Sequence, residues 1–131
     1  YINCSKAVFM IQKELADRIV SKEGSKQYGR ISVMIQSICK VKKEFNVSPN
    51  CFFPKPEGQS TVISLKKKTR KDVDYKNLQE IVKISFSQRR KKIKNTLKEI
   101  INYSELESFF EKRPEMLSIE DFIQISNTIK K

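Results

Sequence analysis

Along the first forty residues an apolar run gives way to two helical stripes. Ala7 to Ile11, AVFMI, is short and continuous, the pattern of a strand buried on both faces. QKELADRIV follows at once, with Leu15, Ile19 and Val20 on one side of a helix. The polar SKEGSKQYGR carries Gly24 and Gly29 and predicts a loop. From Ile31 to Cys39, the residues Ile31, Met34, Ile35 and Ile38 recur at i, i+3, i+4, i+7 and predict a second helix. Between Val41 and Val47 the period is ambiguous, although EFNV alternates as a strand does. STVISLKKK is clearer, because Val62 with Ser64, and Ile63 with Leu65, alternate on β-branched residues. The connection from Ser48 to Gln59 holds three of the four prolines.

A strand, two helices and a late β-hairpin predict the closing half of an α/β sheet. The charged KKKTRKDVD marks a boundary near Arg70, which divides the chain into residues 1–70 and 71–131. Beyond it the period is helical. Asp74 is placed to cap a helix whose apolar face is Leu78, Ile81, Val82 and Phe86. The face resumes at Ile93, Leu97, Ile100 and Ile101. Ser104 with Glu107, and Ser118 with Asp121, have capping-box spacing. They open segments carrying Leu106, Phe109 and Phe110, then Ile119, Phe122, Ile123 and Ile129. The second region is expected to be a small helical bundle. The sequence starts at Tyr1 without a methionine and enters AVFMI almost immediately, so it reads as a piece of a longer protein.

Charge changes the picture from fold to partner. The 27 Lys and Arg against 15 Asp and Glu give a formal net charge of +12, which favours polyanions. No run is long and apolar enough to span a bilayer and no secretory signal precedes the first charges, so a membrane partner is the weaker reading. The three cysteines have no CxxC spacing and there is no histidine. A zinc site is therefore poorly supplied with ligands, and Ser/His and Cys/His nucleophile pairs are excluded. The cysteines read as reduced thiols of a cytosolic protein.

The densest cationic stretch is SQRRKKIKNTLK, with Arg89, Arg90, Lys91, Lys92, Lys94 and Lys98. No acid is interspersed, so i,i+4 ion pairs do not account for it, and it is a candidate contact for a phosphate backbone. SLKKKTR adds Lys66, Lys67, Lys68 and Arg70. Around CFFPKPEGQS two adjacent rings sit between prolines, in a chain otherwise rich in lysine. One of Phe52 and Phe53 is expected to plug the end of the sheet. The other, held at a fixed angle by the prolines, suits stacking on a nucleobase. Glu14 and Asp17, beside Lys13 and Arg18, read as surface ion pairs rather than an acid/base pair. Tyr28-Gly29-Arg30 reads as a loop entering a helix.

Taken in order, FMIQKELADRIV, SKQYGRISVMIQ, VSPNCFFPKPEGQSTVISL, FSQRRKKIKNTL and LSIEDFIQISN resemble the second half of KsgA-type small-subunit rRNA adenine N6,N6-dimethyltransferases. The resemblance implies a Rossmann-like S-adenosylmethionine-dependent methyltransferase domain followed by a small helical RNA-binding domain. It implies dimethylation of two adjacent adenosines near the 3′ end of small-subunit rRNA, a role in small-subunit maturation, and a monomeric cytoplasmic protein. It puts Phe52 against the extruded adenine and leaves Phe53 to packing. Where the family has Val-Asp-Ser, this chain has Gly58-Gln59-Ser60. The family's glycine-rich cofactor loop and Asn-Leu-Pro-Tyr motif are not in these residues, so the chain alone is expected neither to hold S-adenosylmethionine tightly nor to methylate. Neighbouring readings are a large-subunit rRNA resistance methyltransferase, a non-catalytic nucleic-acid binder such as the related mitochondrial transcription factors, and a plain basic helical interaction domain.

Overall fold

The structure is a computed structural model that describes residues 5–55, 57–68, 73–97 and 111–127. Its strands are β1 (Lys6–Gln12), β2 (Cys39–Val47) and β3 (Ser60–Lys67). Its helices are α1 (Lys13–Val20), α2 (Arg30–Ile38), α3 (Tyr75–Ser87), α4 (Ile93–Leu97) and α5 (Ile119–Ser126). Short 3-10 turns occupy Pro49–Cys51 and Pro114–Met116.

The sheet runs in the order β1-β3-β2, with β3 central and antiparallel to both neighbours. Strand alternation sends Thr61, Ile63 and Leu65 of β3 to one side, where they are buried. Ala16 and Ile19 of α1, with Cys39, close that core, and Ile11, Ile31, Ile35 and Val41 pack around it. The other side of β3 is only half-buried. β1 departs from expectation: Val8, Phe9 and Met10 are 60%, 48% and 52% exposed, so this strand is not buried on both faces. Its described pairing is to β3 alone.

Helix α2 also departs from its apolar stripe. Its buried residues are Ser32, Val33, Gln36 and Ser37, while Ile38 is 37% exposed. Ser32 and Gln36 are buried because they complete α1, whose last carbonyls lack helical partners, while Ser37 Oγ donates to the Met34 carbonyl of its own helix. Gln36 Nε2 donates to the carbonyls of Ile19 at 2.8 Å and Ser21 at 2.7 Å, and Ser32 Oγ donates to that of Arg18.

The larger core joins Leu78, Ile81 and Val82 of α3 to Ile93, Leu97, Leu117, Phe122 and Ile125. Asp74 caps α3 by accepting from Asn77 N at 3.2 Å. Ser118 and Asp121 form the reciprocal box that opens α5, with bonds of 3.0 and 3.1 Å. The pair Ser104 and Glu107 lies outside the described residues, as do Ile100, Ile101, Leu106, Phe109, Phe110 and Ile129. Tyr28 and Val33, from before the charged junction, belong to this core as well. The fully buried Tyr28 hydroxyl donates to the Leu117 carbonyl at 2.7 Å. Burial pushes its phenol well above the usual tyrosine range, with Glu23 and Asp121 adding to the shift. Among the described residues no helix is long and apolar enough to cross a membrane.

Candidate nucleic-acid interface

The β2–β3 connection presents the two rings. Ser48 Oγ accepts from Asn50 N at 3.2 Å, and Cys51 N and Phe52 N donate to the carbonyls of Ser48 and Pro49 at 3.1 and 3.2 Å. These bonds set the backbone of Phe52, which is extended at φ −120° and ψ 151°. Successive side chains of extended backbone point to opposite sides. Phe52 is half-buried, and Phe53 is 102% exposed. The expectation that Phe53 packs is therefore overturned: the outer side of the loop is its place. The Phe53–Pro54 peptide is cis.

Gly58 has φ +80°, a conformation that side-chain-bearing residues rarely adopt. The departure from Val-Asp-Ser thus falls on a turn that favours glycine. The Gln59 carbonyl then accepts from Lys13 N at 2.9 Å, closing the connection onto the start of α1.

The basic stretch is not one helix face. Helix α3 stops at Ser87, and Arg89 to Lys92 lie in the turn before α4. Arg89 is half-buried and fully engaged. Its Nη2 donates to the carbonyls of Lys26 at 2.8 Å and Ser25 at 3.3 Å, and its Nε meets Glu115 at 3.4 Å. Its guanidinium lies 5.7 Å from the Phe86 ring centre. Gly24 N donates to the Glu115 carbonyl at 2.7 Å, so residues 24–28 are fastened to the helical unit at several points.

Lys92 and Lys94 both meet Glu111, at 2.8 and 2.7 Å. Hydrogen bonds from Lys92 and then Lys94 hold that carboxyl at about 2, so it is charged at neutral pH. Arg90 and Lys91 are exposed and have no side-chain partner among the described residues. Acids twenty or so residues away thus balance part of a stretch that has none within it. Arg70 and Lys98 lie outside the described residues.

Lys66, Lys67 and Lys68 are not brought to the rings. Lys66 pairs across the sheet with Lys6 and Lys40, whereas the Phe52 loop joins the opposite end, at Val47 and Ser60. Six residues of strand, roughly 20 Å, separate those ends. Lys68 Nζ donates to the Gln36 carbonyl at 2.7 Å, near the end of α2. The pairs Lys13–Asp17 and Arg18–Glu14, both 2.9 Å, are as expected, and Asp17 also contacts Lys43 of β2. Hydrogen bonds from Lys43 and Lys13 lower the Asp17 pKa.

A groove of about 560 Å³ runs between α1, residues 26–31 and the end of α3. Arg18, Lys26, Arg30 and Arg89 line it with Leu15 and Phe86, and its carboxylate, Glu14, is tied to Arg18. A wall of cations does not fit the sulfonium of S-adenosylmethionine. Among the described residues there is also no cluster that could hold a metal ion.

This sheet order, with helices on one face and a helical unit after it, is the closing part of a Rossmann-like methyltransferase fold. A crystal structure of a dimethyladenosine transferase from Plasmodium falciparum superposes with TM-score 0.77 and 24% identity, over 95% of this chain and 59% of that one. The 23S rRNA methyltransferase ErmE superposes with TM-score 0.60 and 15% identity, over 92% of this chain and 55% of its own. Residues 1–131 match the family model described as ribosomal RNA adenine dimethylase, and the chain belongs to that family. Proteins called ribosomal RNA small subunit methyltransferase A are similar throughout. The one from Borreliella afzelii is 42% identical over 93% of this chain and 46% of its own length. Those from Malacoplasma penetrans and Thermotoga maritima are 42% and 39% identical, over 95% and 92% of this chain. The chain spans about half the length of these relatives, 49% and 42% in the last two.

Proposed function

We propose that this chain is the RNA-facing second half of a small-subunit rRNA adenine dimethyltransferase, a monomeric cytoplasmic enzyme that methylates two adjacent adenosines. The observation that carries the reading is the family match along all 131 residues. Residues 1–70 complete the catalytic sheet, and residues 71–131 form the helical RNA-binding domain. S-adenosylmethionine supplies the methyl group when bound, and the residues described here do not form its pocket.

The tasks of this chain are holding and placing. Adenine's exocyclic amine is a weak nucleophile because its lone pair is delocalised into the ring, so positioning matters more than a strong base. Extruding the base costs a few kcal/mol. Contact with the half-buried Phe52 offsets part of that, since stacking on an aromatic is worth ~1–3 kcal/mol per base. Arg90 and Lys91 take backbone phosphates, with Lys92 and Lys94 beside them, and Lys98 is assigned the same role from its place in the basic stretch of the sequence. For Lys92 and Lys94, a phosphate competes with Glu111. Lys66, Lys67 and Lys68 supply the more distant cationic contact, and Arg70 is assigned to it from the sequence alone.

The test is methyl transfer by the full-length protein to small-subunit particles lacking the modification. Mass spectrometry of rRNA fragments should find two methyl groups on each of two neighbouring adenosines near the 3′ end. Methylation confined to large-subunit rRNA, or none with an intact cofactor site, would overturn the reading.

A further inference from the structure

The register places three lysines in one row. Lys66, on the central strand, stands opposite Lys6 of β1 and Lys40 of β2. Directly paired residues of antiparallel strands project to the same face, and neighbouring strands lie about 4.8 Å apart. All three side chains are exposed, and among the described residues none makes an ion pair. The acid nearest in register is Glu44, which accepts from Ser64 Oγ at 2.7 Å and lies 4.0 Å from Lys42. Its carboxylate is thus engaged one row away. Like charges directly opposite on a sheet are destabilising. A fold that keeps three in line without a carboxylate gains most from an external anion.

We propose that Lys6, Lys66 and Lys40 form a second backbone-phosphate site, binding RNA at the end of the sheet away from the Phe52 loop. The inference rests on the RNA reading above and extends it, because it adds Lys6 and Lys40 and places the contact roughly 20 Å from the extruded base. A row spanning about 10 Å is long enough to meet successive phosphates of one strand, with the flexible lysine stems taking up the mismatch.

The site has a signature of opposite signs. In the free protein, Lys66→Gln relieves repulsion and raises the melting temperature at low salt by about 1–4 °C. In RNA titrations the same variant lowers the slope of log affinity against log salt by about 0.7 for a single strand, or about 0.9 for a duplex. Lys40→Gln serves as an independent copy of the test. Added inorganic pyrophosphate should raise the melting temperature of the wild type more than that of Lys66→Gln. If Arg90→Ala lowers the slope and Lys66→Gln does not, the RNA reading stands and this site is wrong. If neither variant changes it, both fail. Loss of binding to phosphatidylserine vesicles in Lys66→Gln, with RNA binding intact, would reassign the row to a membrane and overturn the proposal.

Discussion

Tyr28 ties the segment before the charged junction to the helical core through one atom. Its hydroxyl fills the Leu117 carbonyl's need inside a fully buried setting, so Tyr28→Phe leaves that acceptor unpaired. A buried group left without its partner costs ~1–3 kcal/mol, and the melting temperature should fall by several degrees. The sign of the pH dependence follows from the raised phenol pKa. The folded state holds this proton more tightly than the unfolded state does. The stabilisation is therefore complete below the ordinary tyrosine value of about 10 and is lost as pH rises beyond it. Denaturant titrations at pH 8 and pH 11 should show the gap between wild type and Tyr28→Phe narrowing at the higher pH; a constant gap would contradict this. At this scale the sequence was read well where partners are neighbours, as with Asp74 and with Ser118 and Asp121. It was read poorly at Phe52 and Phe53. Adjacent rings differ only in which side of an extended backbone each occupies, and no periodicity in a proline-rich loop records that.

Among elements, the turn from Gln88 to Lys92 matters most. A run of cations looks uniform in sequence, yet its members have different work once Ser25, Lys26, Glu111 and Glu115 come near. Those partners are tens of residues away, which is why a local reading could not sort them. Arg89→Ala removes two carbonyl contacts and an ion pair. It should lower thermal stability by ~1–3 kcal/mol while leaving the salt slope of RNA binding unchanged. Arg90→Ala should do the reverse, with little change in melting and a slope smaller by about 0.7 to 0.9. Equal effects on the slope from both would mean that Arg89 meets phosphate too. Helix α2 teaches the same lesson: its isoleucines suggested one buried face, but Gln36 and Ser32 are buried because α1 ends against them.

Across the whole molecule, the order strand, two helices, hairpin, helical unit was legible because each element carries its own period. What the sequence hid was the arrangement in space. The exposure of β1, the shared core around Tyr28 and Val33, and the distance between Lys66 and Phe52 all depend on pairing between remote segments. The cationic groove bears on the cofactor. Calorimetry of the 131-residue chain with S-adenosylmethionine should give no micromolar binding, and such binding would show that these residues form a pocket after all.

Methylation kinetics of Phe52 variants in the full-length enzyme test the central claim most directly. Phe52→Ala should lower kcat/KM about 5- to 150-fold, the equivalent of one lost base stack, while Phe52→Trp stays within a few-fold of wild type. A Phe52→Ala enzyme that folds normally and methylates at the wild-type rate would contradict the claim that this ring receives the adenine.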